Sequence, residues 1–473
     1  HIAALTEGIS RRAAIQRQLL PVMLGWFGDG PDPDAGLLAF RKLSEAMGTT
    51  HWYLKLLRDS GAAARRLARL LSGSSYVAQA LPQLPEAVAW LDDDADLEPR
   101  GREALQAEMD AMLRRREEPG EAARAARYLR RRELTRAAVG DVLDQVRGDR
   151  GTTMLTPAAD VALRAALRIA VQTQTEAAGL AEPPSDFLVV AMGRLGGAEM
   201  SYGSDADVLF VHEPRPGAEP EVADRVATAV ATQVRSLLGD TGPEPPLPVD
   251  AALRPEGRNG PIMRTLGSYA EYYSRWAEPW ERQALLRARP VAGDEGLAAR
   301  FGDLVDPVRY PADGLDPGAV RELRRIKARM ESERMPRGVE PTRHLKLGRG
   351  GLSDVEWTVQ LLQLQHAGRV PGLRTTSTLG ALHAAEDAGL LGAQEVTCLS
   401  TAWELAARIR NAIALGSGRT SGAKIDVLPS EPRTLAVVAR MLGYDPERTQ
   451  DVEEDYLRAA RRARAVVDRV FFG

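Results

Sequence analysis

From residue 1 to about 150, apolar positions recur every three or four residues among Arg, Ala, Leu and Glu, as in RRAAIQRQLL and EAARAARYLRRRELTRAAV. That period predicts helices throughout, with breaks at GDGPDPDAG (28–36) and at Glu118-Pro119-Gly120. Between about 151 and 310 the pattern changes. FLVVAM (187–192) is a short apolar run bounded by Pro183-Pro184 and Gly193, which predicts a buried strand. DVLFV (207–211) is β-branched and aromatic and predicts a second one. Val222, Val226, Val230 and Val234 fall four apart, on one face of an amphipathic helix. A proline-rich loop, GDTGPEPPLP (239–248), then leads into VDAALRPEGRNGP (249–261), where a short strand would carry Asp250 and, four residues on, Arg254 pointing the same way. From 311 to 473 helical periodicity returns, interrupted by PADGLDP, GSGRTSGAK and LPSEP. The plan is α+β: a helical region over 1–150, a strand-bearing core over 151–310 and a helical bundle over 311–473.

The candidate chemistry lies between the two predicted strands, in GRLGGAEMSYGSDADVLFV (193–211). Strand side chains alternate, so Asp205 and Asp207 share a face, roughly 6 to 7 Å apart along the backbone. Two carboxylates so placed repel each other unless a cation sits between them, and hard oxygen ligands suit Mg²⁺. A glycine turn beside them is where phosphates would be cradled. Strand, glycine turn, then Asp-x-Asp on the next strand resembles the nucleotidyltransferase superfold. That pattern has a Gly-Ser pair, ten or so residues, then Asp-x-Asp; here Gly193-Arg194 are followed by ten residues and Asp205-Ala206-Asp207. Arg194 stands in place of the serine, and a guanidinium there can contact phosphate directly. The superfold brings a third carboxylate on a neighbouring strand, for which Asp250 is the candidate. Asp205, Asp207 and Asp250 are therefore the expected catalytic and metal-binding set. Gly193, Arg194, Gly196, Gly197, Ser204, Arg254 and Lys346 are the expected nucleotide-binding set.

Composition narrows the classes. The chain has 473 residues, 27% of them charged, and a net charge of −3, with no basic footprint for nucleic acid. Its one cysteine, Cys398, excludes internal disulfides and cysteine-rich zinc sites and fits a reducing cytoplasm. No apolar stretch reaches membrane-spanning length. The chain begins at His1 without an initiator methionine, as an excised part of something longer would.

Other motifs are read more modestly. The arginine runs 114–116 and 130–132 read as solvated helix faces paired with Glu117, Glu118 and Glu133, rather than as a docking face. GRGGLSDVEW (348–357) offers Asp354-x-Glu356, but ahead of an apolar-periodic helix, where residues two apart do not share a face. Ser353-x-x-Glu356 instead matches a capping box, with Lys346 and Arg349 near enough to the helix start to reach a phosphate. No histidine pair has metal-ligand spacing, although His212 and His344 fall near these segments. Arg282, Arg287 and Arg289 either line the nucleotide site or pair with acids.

Four ordered segments, GRLGGAEMSYGSDADVLFV, VDAALRPEGRNGP, PWERQALLRARPVAGD and KLGRGGLSDVEWTVQLLQLQH, closely resemble the glutamine synthetase adenylyltransferase family, in its actinobacterial wording. The family protein carries two nucleotidyltransferase domains, one removing AMP from glutamine synthetase by phosphorolysis and one attaching it. S-Y-G-S-D-x-D resembles the attaching, C-terminal half. The resemblance implies a DNA polymerase β-like core, two Mg²⁺ ions, ATP as substrate and glutamine synthetase as protein partner. It leaves phosphorolytic removal of AMP, or a regulatory module binding a PII-type signal protein, as alternatives. Many relatives have arginine where this chain has Ala252 and aspartate where it has His344, so those side chains' roles are not carried over.

Overall fold

The computed structural model describes residues 1–473 apart from 8, 10, 48–51, 117 and 144–149, so Glu117 lies outside the described residues. The molecule is mostly helical around one small mixed sheet, an α+β arrangement. β1 (Ser185–Ala191) and β2 (Ala206–Pro214) form its antiparallel centre, with Val189 opposite Phe210 and Ala191 opposite Val208. β5 (Arg289–Gly293) pairs with the other edge of β1. The outer edge of β2 is shared by β3 (Val249–Asp250) and β4 (Met263–Thr265), both parallel to it.

Both central strands read as nearly continuous apolar runs because both sheet faces are covered. Phe187, Val189, Val208 and Phe210 face one apolar cluster, which takes in Val226, Val230 and Val234 of the helix Pro220–Gly239 and continues into the N-terminal helices through Phe40 and Tyr53. Leu188, Val190, Leu209 and Val211 face the opposite cluster, with Tyr269, Leu297 and Phe301. The period-two split of each strand thus matches two different helical layers. A separate cluster, with Leu352, Trp403, Tyr456 and Phe471, builds the C-terminal bundle.

The arginine run 130–132 departs from expectation. Arg130 and Arg131 are buried on the helix Pro119–Leu143, not solvated. With Arg127 they serve the proline-rich loop. Arg127 Nη2 donates to the carbonyls of Asp240 (2.6 Å) and Glu244 (2.8 Å), Arg130 Nη1 to Pro245 (3.0 Å), and Arg131 Nη1 to Pro243 (3.2 Å). A proline-rich segment has few N–H donors of its own to build regular structure, and its buried carbonyls need partners from elsewhere. Arg132 instead forks onto Glu108 (2.6 and 2.7 Å) and reaches Glu133 at 2.9 Å, an acid pairing of the expected kind.

Candidate functional site

β1 delivers the chain into the glycine turn, and a backbone hydrogen bond from Met192 N–H to the Asp207 carbonyl (2.8 Å) folds that turn back onto β2. Gly193 has φ of +51°, and a side chain there would bring a Cβ within 2.3 Å of Asp207 Oδ2. Glycine is needed both for the left-handed backbone and for the approach of the carboxylate. Residues 193–196 form a single helical turn.

On the other side, the parallel register of β2 and β3 sets Asp207 directly beside Asp250. Asp205, one residue before β2 begins, is exposed, while Asp207 and Asp250 are half-buried. The three charges act on one another. Burial, then the fields of Asp205 and Asp250, push the Asp207 carboxyl up to about 7, against a smaller opposing pull from Lys346. Asp250 Oδ1 accepts the Ala252 N–H at 2.7 Å, so one of its oxygens is spent on its own turn. Among the described residues no three metal-ligating side chains converge into a closed cage. Mg²⁺ usually takes one or two carboxylates completed by water and substrate phosphates.

The expected nucleotide-binding residues divide. Lys346, exposed on the segment before the helix Leu352–His366, comes near enough for its charge to act on Asp207, though it lies about 140 residues further along. The chain orders that segment through His344, whose Nδ1 accepts the N–H groups of Lys346 (3.3 Å) and Leu347 (3.1 Å). An acceptor serving two local N–H groups is what an aspartate supplies in a turn, which gives this buried histidine a structural task. Gly196 meets a neighbour's backbone, since a Cβ there would lie 1.9 Å from the Arg287 carbonyl. Gly196→Ala should cost about 1–3 kcal/mol as an overpacked site. Thermal unfolding measures this, and an unchanged melting temperature would mean that the turn yields without strain. Gly197 is likewise close to the Arg287 guanidinium. Ser204 closes the loop before β2, accepting the Ser201 N–H at 2.9 Å.

Arg254 is corrected. β3 ends at Asp250, so Arg254 does not continue that strand. It lies in the following turn, where its guanidinium donates to the carbonyls of Gly260 (3.0 Å), Ala251 (2.8 Å) and Arg258 (3.1 Å). Of the arginines left open, two pair with acids. Arg287 bonds Glu199 (3.0 Å) and reaches Thr378 Oγ1 (2.5 Å); Arg289 forks onto Asp160 (2.8 and 3.0 Å) and also donates to the carbonyls of Leu195 and Gly196.

The expected capping box is also corrected. The N-cap of Leu352–His366 is Gly351, with no side-chain cap, so Ser353 and Glu356 sit inside the helix. Asp354 is fully buried and accepts from Lys327 Nζ (2.5 Å), Gly350 N–H (2.7 Å) and Arg464 Nη1 (3.0 Å). Glu356 points the other way, to Arg194 at 3.5 Å. Sequence spacing gave no signal for the charged partners, which lie 27 to 162 residues away. The same holds for Arg410, which donates to Ser201 Oγ at 2.5 Å and ties the segment before β2 to the C-terminal bundle. A cavity of about 790 Å³ lies elsewhere, between N-terminal helices and the bundle near Trp26, Arg69 and Arg440. The site rests on its charge geometry, not on cavity size.

A family model described as glutamate-ammonia ligase adenylyltransferase matches residues 64–303, and one described as GlnD PII-uridylyltransferase matches residues 323–471. The chain is 53% identical to the bifunctional glutamine synthetase adenylyltransferase/adenylyl-removing enzyme of Streptomyces avermitilis, over all of this chain and 48% of that relative. It is 50% identical to the protein of the same name in Streptomyces coelicolor and 49% identical to that of Leifsonia xyli subsp. xyli, over all of this chain and 48% and 46% of those relatives. The chain thus spans about half the length of the curated relatives it matches. With a family model covering just over half its residues, and close relatives matching it from end to end, the chain belongs to the glutamate-ammonia ligase adenylyltransferase family.

Proposed function

We propose that this chain moves AMP from ATP to a tyrosine of glutamine synthetase, in the cytoplasm, and releases pyrophosphate. The single observation that carries the reading is the register of Asp207 against Asp250 beside a glycine turn, with Asp205 adding its charge. A docking module has no use for three mutually repelling carboxylates. In this reading residues 151–310 are a DNA polymerase β-like nucleotidyltransferase core, flanked by the helical region 1–150 and the bundle 311–473.

The donor set fits Mg²⁺: Asp205 and Asp207 would hold one ion and Asp250 would help to hold a second. Bound there, Mg²⁺ neutralises phosphate charge and makes a coordinated hydroxyl more acidic. The protein's own groups supply the rest. A tyrosine hydroxyl, with a reference pKa of about 10, is a poor nucleophile at neutral pH. Asp250, with Oδ1 engaged by Ala252, has Oδ2 left to take the proton as the tyrosyl oxygen attacks the α-phosphorus. The new O–P bond forms as the bond to pyrophosphate breaks, and Lys346 and Arg194 offset charge on the leaving group.

A second reading has a specific basis. The relatives' names carry both adenylylation and adenylyl removal, and this chain spans about half the length of such a protein. Removal would release ADP from AMP-tyrosine with phosphate. The S-Y-G-S-D-A-D wording (201–207) favours attachment. The match of residues 323–471 supports a PII-type signal protein as a further partner. Unmodified synthetase with ATP and Mg²⁺ should yield AMP-tyrosine and pyrophosphate with no need of inorganic phosphate. ADP from modified synthetase and phosphate, without AMP-tyrosine in the first mixture, would reverse the direction.

A further inference from the structure

Three arginines surround the glycine turn, and they are not held alike. Arg287 and Arg289 have their donors engaged by acids and carbonyls, as buried guanidinium groups in a structural role do. Arg194 lies on the turn itself and makes no side-chain hydrogen bond among the described residues. Its Nη2 is buried without a hydrogen-bond partner, and Glu356 Oε1 stands at 3.5 Å, an electrostatic contact with the donors left uncommitted. Glu356 is fixed from behind, since Trp403 Nε1 donates to Oε1 at 3.5 Å and Trp403 packs into the bundle core. Two further charges act on Arg194, Arg410 repelling it and Glu199 attracting it. The first belongs to the bundle, and the second is clamped to the bundle through Thr378.

We infer that Glu356 is a positioning residue for the transfer: from the C-terminal bundle it holds the Arg194 guanidinium at the turn, with N–H groups free for the phosphate oxygens of ATP. This rests on the nucleotidyltransferase reading and deepens it, because one wall of the nucleotide site then comes from the bundle. An isolated charge buried without a counter-ion is costly. The carboxylate makes Arg194 tolerable there, and its poor hydrogen-bond geometry leaves the phosphates able to take the donors.

The test is ATP affinity, measured by calorimetric titration with Mg²⁺, alongside AMP transfer to glutamine synthetase. Glu356→Gln should raise the ATP dissociation constant and KM about tenfold, with kcat changed by less than about threefold, the pattern of lost ground-state and transition-state binding together. Arg194→Gln should do the same, and the double variant should be no worse than either single one. Glu356→Asp, which keeps the charge, should lie nearer the unsubstituted protein. Additive effects, an unchanged ATP affinity with only a lowered melting temperature, or tighter ATP binding in Glu356→Gln would each overturn the inference. ATP binding without AMP transfer would remove the proposed function alone, whereas no ATP binding by the unsubstituted chain would remove both.

Discussion

Asp207→Asn should lower AMP transfer by at least about 100-fold, since even residues behind a metal's ligands commonly cost 10 to 100-fold when changed. The same substitution should stabilise the metal-free protein at pH 8. Burial and the neighbouring charges of Asp205 and Asp250 raise the Asp207 carboxyl to about 7 in the folded chain, against a reference near 3.9 when unfolded. An acid whose folded pKa is raised binds its proton more tightly when folded. Stability therefore falls as pH rises from about 4 to about 7, and above that the full penalty is present. The penalty is on the order of 2–4 kcal/mol, reduced by whatever solvent reaches the half-buried group. Asparagine removes it. Melting curves in chelator at pH 5 and pH 8 should show the variant gaining more on the parent at the higher pH, and added Mg²⁺ should raise the parent's melting temperature more than the variant's. Near-normal transfer by the variant would refute the metal assignment. A variant that melts lower than the parent at pH 8 would refute the charge argument.

Asp354→Ala should be the most destabilising single change in the C-terminal bundle. The carboxylate lies 1% exposed between Lys327, itself fully buried, and Arg464. Burial alone would raise its pKa, but Lys327, the Gly350 N–H and Arg464 hold it below the usual carboxylate range. Its contribution is thus present above the unfolded pKa and lost as pH falls through the lower folded value. Removing one partner from a buried pair costs about 3–5 kcal/mol, because the other charge stays buried. Glu331 still reaches Lys327 and tempers the loss. Denaturant unfolding at pH 7 gives the magnitude. Replacing Lys327 and Asp354 together by Met and Leu should recover much of it, which a catalytic role for Asp354 would not permit in the activity assay. A cost below about 1 kcal/mol would refute the buried-pair argument.

Local rules carried the sheet and the carboxylates well. FLVVAM, but for its last residue, and DVLFV fall within paired strands, the four valines from 222 to 234 line one helix, and Asp250 sits on a short strand after the proline-rich loop. These are period and boundary signals, contained within a few residues. What failed needed distant partners. Ser353 and Glu356 satisfied a capping spacing, yet Gly351 starts the helix and each acid answers to an arginine or lysine from another segment. Arg130 and Arg131 looked like a solvated stripe because the carbonyls they serve lie more than 110 residues away. Arg254 was misplaced because β3 is only two residues long, too short for strand alternation to carry over to its neighbours.

The arginine clamp on residues 240–246 bears on where this chain can be cut. A shorter version starting at residue 151 would keep every candidate carboxylate, every glycine of the turn and both central strands. It would lose Arg127, Arg130 and Arg131, and with them the donors that pin the loop feeding β3. A two-residue strand cannot hold its own register against a loose lead-in. Asp250 would then wander from Asp207, and a fragment with an intact list of active-site residues would have no assembled active site.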